Sequence, residues 1–432
     1  MIKALPITVF LMTTVVLTAQ EFREISTGAG YNNQHYVSLT NSTEHTVANN
    51  AWDIAFSVQG QTDGGIFINE SAGSSMGVPQ NSIALYNALT TDFNETIDPA
   101  LLIEDVQLYN SELNWQNGAF NELRDTANPF DYGWGAYNPQ THQLAGSAVY
   151  AIQLRDGSYK KFQVVSLANG AYTFKYANLD GTDEVTATIA KEDHAGETLA
   201  YFSFATGSTV EVEPAGGFDL VFKRYITPLY DVDNDVYIPY AVTGILHGDG
   251  VQTAQANGVD PATVAFEGFQ SQLNDSLDVI GHDWKYFSFT DGWVLPQDLV
   301  YFVKTTEDRV WKLHFVDFEG SSTGTAVYQS TDMGLFTNVT TPSAINMEVL
   351  TYPNPVTSQL TVALTTPQEL AGKRAMLTLH NMAGVAVYQQ ATVLNGGFQV
   401  HQIEASQWPS GLYFVSLQTN EERIPLGNIS KQ

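Results

Sequence analysis

From residue 22 to about residue 336 the chain runs as short stretches of alternating apolar and polar residues, broken by Gly, Asn, Asp and Pro. That period of two is the mark of half-buried strands. Residues 149–165 (VYAIQLRDGSYKKFQVV) show it best. Two alternating runs flank Asp156-Gly157, a dipeptide that tolerates the positive φ angles of a tight hairpin turn. Residues 172–176 (YTFKY) alternate again. Helical periodicity is scarce; residues 82–89 and 263–277 are the moderate candidates, and neither carries strong caps. The pattern predicts a mainly β protein with one or two short helices. Its antiparallel β region is followed by a small C-terminal β-sandwich.

Sliding the chain against itself exposes an internal match. Residues 36–56 lie over 202–222, so that Thr40, Ser42, Thr43, Asp53 and Phe56 fall on Thr206, Ser208, Thr209, Asp219 and Phe222. Residues 149–165 lie over 300–316 (VYFVKTTEDRVWKLHFV) with the same alternation. Two matches in the same order predict a repeated β unit. The expected layout is a first copy at 20–195 and a second at 196–336, a polar linker at 337–348 and a distinct module at 349–432.

The first nineteen residues read as an export signal. Lys3 is the positive start, residues 5–17 form an uncharged apolar stretch, and Leu17-Thr18-Ala19 offers a small residue before Gln20. A membrane span needs about 20 apolar residues, which this stretch lacks, and no later segment supplies them. An exported chain without a transmembrane segment is the expectation.

Charge narrows the partners. Lys and Arg number 18 against 46 Asp and Glu, a net charge of −28. Such a chain repels polyphosphates, which excludes nucleic acid as the main partner. The complete absence of cysteine excludes disulfides, thiolate metal sites and cysteine nucleophiles.

The module at 349–432 opens with Tyr352-Pro353-Asn354-Pro355, continues through residues 377–388 (LTLHNMAGVAVY) and reaches residues 408–417 (WPSGLYFVSL). This order resembles the C-terminal sorting domain of type IX secretion cargo in Bacteroidetes. The resemblance implies delivery by the type IX secretion translocon to the outer-membrane surface or beyond. Upstream, WDIAF (52–56), IFINESAG (66–73) and VYAIQLRDGSYKK (149–161) resemble the HmuY-like haem-binding family, as do FDLVFKRY (218–225), IPYAVTGIL (238–246), IGHDWK (280–285) and WKLHFVDF (311–318). Together they span most of residues 36–318. The resemblance implies a duplicated HmuY-like β fold and a haem or porphyrin partner.

Haem needs one or two axial ligands, His or Met, inside an apolar aromatic pocket. His142, in the loop before the 149–165 hairpin, is the first candidate, and Met76 in the Gly-rich segment 72–77 the second. Trp134 and Tyr137 would supply the pocket walls. Competing readings are a surface adhesion or structural protein that keeps the fold without haem, and a glycan-binding module stacking sugars on Trp52, Trp115 or Trp134. Asp231-Val232-Asp233-Asn234-Asp235 alternates carboxylates as a calcium loop does. Val236 stands where such a loop needs glycine, so a polar hairpin tip is the better reading. The segment Gly73–Gly77 (GSSMG) has the letters of a hydrolase elbow without the strand-to-helix setting. No catalytic constellation emerges, and a binding protein rather than an enzyme is expected.

Overall fold

The computed structural model describes residues 20–71, 74–75, 78–79, 83–336, 348–366, 370–382, 384–419 and 423–432. Met76 lies outside them, as do Gly73 and Gly77. The chain divides into two compact units, Met1–Phe336 and Thr337–Gln432. Strands and their turns dominate both, and pairing is antiparallel throughout the named sheets.

In the large unit the alternating pattern becomes strand pairs at the expected places. Tyr150–Gln153 and Tyr159–Ala168 close a hairpin with Tyr150 opposite Phe162 and Gln153 opposite Tyr159. Gly157 turns it at φ +83°. Ala171–Ala177 adds the next strand on the outer edge of Tyr159–Ala168. The two helical candidates come out differently. Within residues 82–89 the chain forms the strand Ala84–Asn87, and residues 263–277 hold only the short 3-10 turns Phe266–Gly268 and Gln270–Gln272. The strand has a physical cause: Ile83, Leu85, Ala84 and Tyr86 are all buried, so both faces of the sheet are covered there and no alternation is left to read.

Long-range pairing organises the unit. The hairpin Asn33–Ser38 with Thr43–Ala48 pairs with Leu220–Asp231, far along the chain. The hairpin Leu199–Ser203 with Ser208–Val210 pairs back onto Ile54–Ser57. The registers correspond: Ile54, Ala55 and Phe56 face Phe202, Tyr201 and Ala200, while Leu220, Val221 and Phe222 face Val37, Tyr36 and His35. An outer pair follows the same rule. Val185–Ala190 lies on Ala171–Ala177, and Gln20–Ser26 lies on Thr325–Leu335. Bulges fall at corresponding places too, between Val164 and Ser166 and between Phe315 and Asp317. Pairing therefore runs across the expected division at 195/196 in both directions.

Three apolar layers follow from this arrangement. One cluster gathers Phe56, Phe120, Trp134, Tyr150, Phe162 and Phe174, and a second gathers Leu220, Phe222, Trp284, Tyr301, Leu313 and Phe315. Between the exchanged hairpins a third holds Tyr36, Trp52, Trp115, Tyr201, Phe218 and Val221.

The C-terminal unit is a small sandwich of a three-stranded and a four-stranded sheet. Leu360, Val362, Leu364, Leu377, Leu379 and Leu417 fill its core. The Tyr-Pro-Asn-Pro entry is zipped to the last strand, because Asn354 Oδ1 accepts the Ser430 N–H at 2.9 Å and the Val356 N–H donates to the Ser430 carbonyl at 2.8 Å.

Trp52 is 2% exposed and lies where the exchanged hairpins meet. Replacing it by Ala is expected to cost on the order of 3–5 kcal/mol. Chemical denaturation of Trp52→Ala checks this, and an unchanged midpoint would contradict the placement.

Candidate functional site

Gly135–Asn138 and Gln143–Gly146 form a hairpin whose tip carries His142. Its base is fixed by close backbone packing: a Cβ on Gly146 would fall 1.7 Å from the Val164 carbonyl oxygen, so only glycine fits against the neighbouring strand. Trp134, fully buried just before the hairpin, donates its Nε1–H to the Gly64 carbonyl at 2.7 Å. At the tip the His142 N–H donates to the Asn138 carbonyl, which closes the turn with His142 at φ +56°.

The exposed His142 ring meets Tyr137, with Nδ1 and the Tyr137 hydroxyl 2.9 Å apart. Tyr137 in turn stacks on Phe130 at 6.1 Å between ring centroids. The structure thus brings His142 and Tyr137 together on a half-exposed aromatic shelf. Trp134 belongs to the core beneath and does not face that shelf. Trp52, Trp115 and Trp134 are 2%, 7% and 0% exposed, which removes all three as platforms for a sugar on the surface. Asp231 spends its carboxylate on its own turn, accepting from the Asp233 N–H and the Asn234 side chain. Among the described residues no group of three or more His, Cys, Asp or Glu is placed to hold a metal ion.

Sequence reasoning passed over two features, one of which carried a signal. Tyr286–Ser288 and Gly292–Val294 form a hairpin in the later part of the unit. It exposes Tyr286, Phe287 and Phe289, the last completely, with Trp293 packed between Phe287 and Phe318. The Asp291-Gly292 turn flanked by alternating aromatics was its signature. A cavity of about 310 Å³ opens elsewhere, lined by Tyr109, Glu112, Glu122, Ile226, Pro228 and Tyr237. Desolvation raises both its carboxyls above their ordinary range and pushes the Tyr109 hydroxyl up to about 12. None of these lining residues is near another in sequence except within two short loops and one ribbon, so no motif announced it.

Taken together, the chain joins a strand-built unit carrying an aromatic shelf to a separate sandwich zipped at its ends. Comparisons with known proteins match a part of each to a family. Residues 30–177 match the HmuY protein family, and residues 350–425 match the secretion system C-terminal sorting domain. The HmuY match ends on the last residue of the strand Ala171–Ala177. HmuY proteins are a binding family associated with haem, and the sorting domain marks the chain for the type IX secretion system and a secreted or cell-surface location. No helix among the described residues is long and apolar enough to cross a membrane. No curated protein matches the chain. The crystal structure of dimeric latent PorU from Porphyromonas gingivalis aligns at 9% identity with a TM-score of 0.18, over 95% of this chain and 33% of that one. The chain spans about a third of that protein's length, and so slight a likeness bears on neither fold nor function.

One buried carboxyl near the exchanged hairpins gives a pH signature. Glu213 accepts from the Thr198 and Leu199 N–H groups and the Tyr201 hydroxyl, yet desolvation pushes it from 4.5 to about 7. The folded state therefore holds a proton that the unfolded chain has released. Its stabilising contribution is complete below pH 4.5 and is lost as pH rises to about 7. Unfolding midpoints across that window should fall more steeply in the native chain than in Glu213→Gln; equal slopes would contradict the assignment.

Proposed function

We propose that this exported HmuY-like protein binds haem or another porphyrin at the His142 hairpin. The observation that carries the reading is the His142–Tyr137 pair, held on a hairpin inside the HmuY-matched segment and anchored from below by Trp134. When Nδ1 donates to the Tyr137 oxygen, Nε2 keeps its lone pair for iron and the ring orientation is set by its partner. Phe130 and Tyr137 then offer flat apolar contact to the macrocycle. Met76 is the proposed second ligand. A haem iron would supply reversible axial ligation only, in keeping with a carrier rather than a catalyst.

A second reading is favoured by the exposed hairpin with Phe287 and Phe289. Contiguous exposed aromatics on a surface protein suit adhesion to a partner. We further propose that residues 20–195 and 196–336 descend from one repeated unit, supported by the corresponding registers of the exchanged hairpins. The sorting module at 349–432 is proposed to fold independently behind the 337–348 linker.

A haemin titration followed in the Soret region tests the ligand. The native chain should give a saturable band, and His142→Ala should shift its maximum or weaken binding about tenfold or more. His45→Ala should do neither. An identical band and affinity in His142→Ala would contradict the ligand assignment. Export has its own test: the chain lacking residues 349–432 should accumulate folded in the periplasm, and normal surface delivery would contradict the sorting role.

A further inference from the structure

A small cavity of about 20 Å³, room for a single water molecule, lies in the layer between the exchanged hairpins. Trp52, Phe67, Trp115, Ile68, Asn110 and Lys223 line it. Lys223 has its ammonium 5.7 Å from the Trp52 ring centre. Desolvation among these side chains favours the neutral, nucleophilic amine.

Asn110 presents the complementary group. Its side-chain oxygen accepts two backbone N–H groups, from Ile68 and Ala119, each at 3.0 Å. Two converging N–H donors polarise the amide carbonyl and would hold an oxyanion formed on that oxygen. Its side-chain nitrogen donates to the Ile68 carbonyl at 2.8 Å, which fixes the amide plane. Glu70 is buried beside both residues. Its carboxyl accepts the Asn110 N–H at 2.8 Å, interacts with the Asn110 side chain, and feels the charge of Lys223. Burial pushes that carboxyl up to about 7 and the Lys223 ammonium down to about 8, so proton exchange between them is nearly balanced.

We infer that Lys223 and Asn110 are the reacting pair of an intramolecular amide cross-link, with Glu70 as the proton carrier. The neutral Lys223 amine attacks Cγ of Asn110. Negative charge gathers on Oδ1 between the Ile68 and Ala119 N–H groups. Glu70 takes the proton from the attacking nitrogen and returns one to Nδ2, the C–Nδ2 bond breaks, and ammonia leaves. One amine and one primary amide become a secondary amide and ammonia, with Glu70 restored and no oxidant needed. The product would tie Leu220–Asp231, which carries Lys223, to the loop holding Asn110 and so join the two halves of the large unit covalently. This stands independently of the haem reading.

Peptide mapping by mass spectrometry of the full chain, purified folded, tests it. The expected result is a branched peptide joining Lys223 to Asn110, lighter by one ammonia than the two linear peptides combined. Lys223→Arg should yield only linear peptides, and Glu70→Gln should do so while eluting as the same folded species. Ammonia loss confined to an Asn-Gly step such as Asn117-Gly118, or to Gln20, would not give a branch and would overturn the proposal. Linear peptides with intact Lys223 and Asn110 in the native chain would overturn it outright, whatever the variants do. A branched peptide persisting in Glu70→Gln would overturn the role given to Glu70.

Discussion

Asp53 and Asp219 hold the large unit together, because each carboxylate is committed to the turn of a hairpin from the other half of the chain. Asp53 accepts the Phe204 N–H at 2.6 Å, and Asp219 accepts the Leu39 N–H at 2.7 Å. Their own backbone N–H groups reach across in the same sense, to the Phe202 and Val37 carbonyls at 2.9 and 2.8 Å. Arg155 adds a charge partner to Asp53. Buried carboxylates are tolerable only when fully hydrogen-bonded, so these two fix the hairpins in a single register. A slip by one residue would turn Phe56 and Phe222 out of their cores. The cores, the layer between them and the Trp134 anchor of the His142 hairpin all rest on that register.

Local structure was readable where a turn dipeptide and half-exposed polar positions punctuate the strands. The 149–165 hairpin and its Asp156-Gly157 turn stand where the pattern put them, because Gln153 and Tyr159 stay half-exposed beside the turn while Ile152 and Phe162 are fully buried. The strand Ala84–Asn87 was not readable, since burial on both faces erases the period. Exchange between the hairpins was also beyond reach. A sequence match can align Asp53 with Asp219, but it cannot say that each serves the other's neighbour.

At the candidate site the sequence singled out His142 as a loop residue and left the hairpin that carries it unread. Trp134 and Tyr137 are close in sequence, yet one is core and the other shelf, a difference set by contacts with Gly64 and Val164 from other segments. Glu70, Asn110 and Lys223 are scattered along the chain, and only the fold brings Asn110 and Lys223 to one cavity with Glu70 beside them. The later hairpin with Phe289 occupies the position before Leu299–Lys304 that the His142 hairpin occupies before Tyr150–Gln153. The two places carry different chemistry on the same support: a histidine with a tyrosine in one, bare aromatics in the other. The sorting module then directs both to a secreted or cell-surface location.

The central physical claim is that the large unit closes by exchange, so neither half stands alone. A specific protease site placed between the exposed Asp183 and Glu184 allows the chain to be cut there after folding. Size-exclusion chromatography of the cut protein under native conditions, followed by denaturant unfolding, measures the consequence. Co-elution of the two fragments as one species that unfolds in a single transition is the predicted result. Separation into two folded fragments with independent transitions would contradict it.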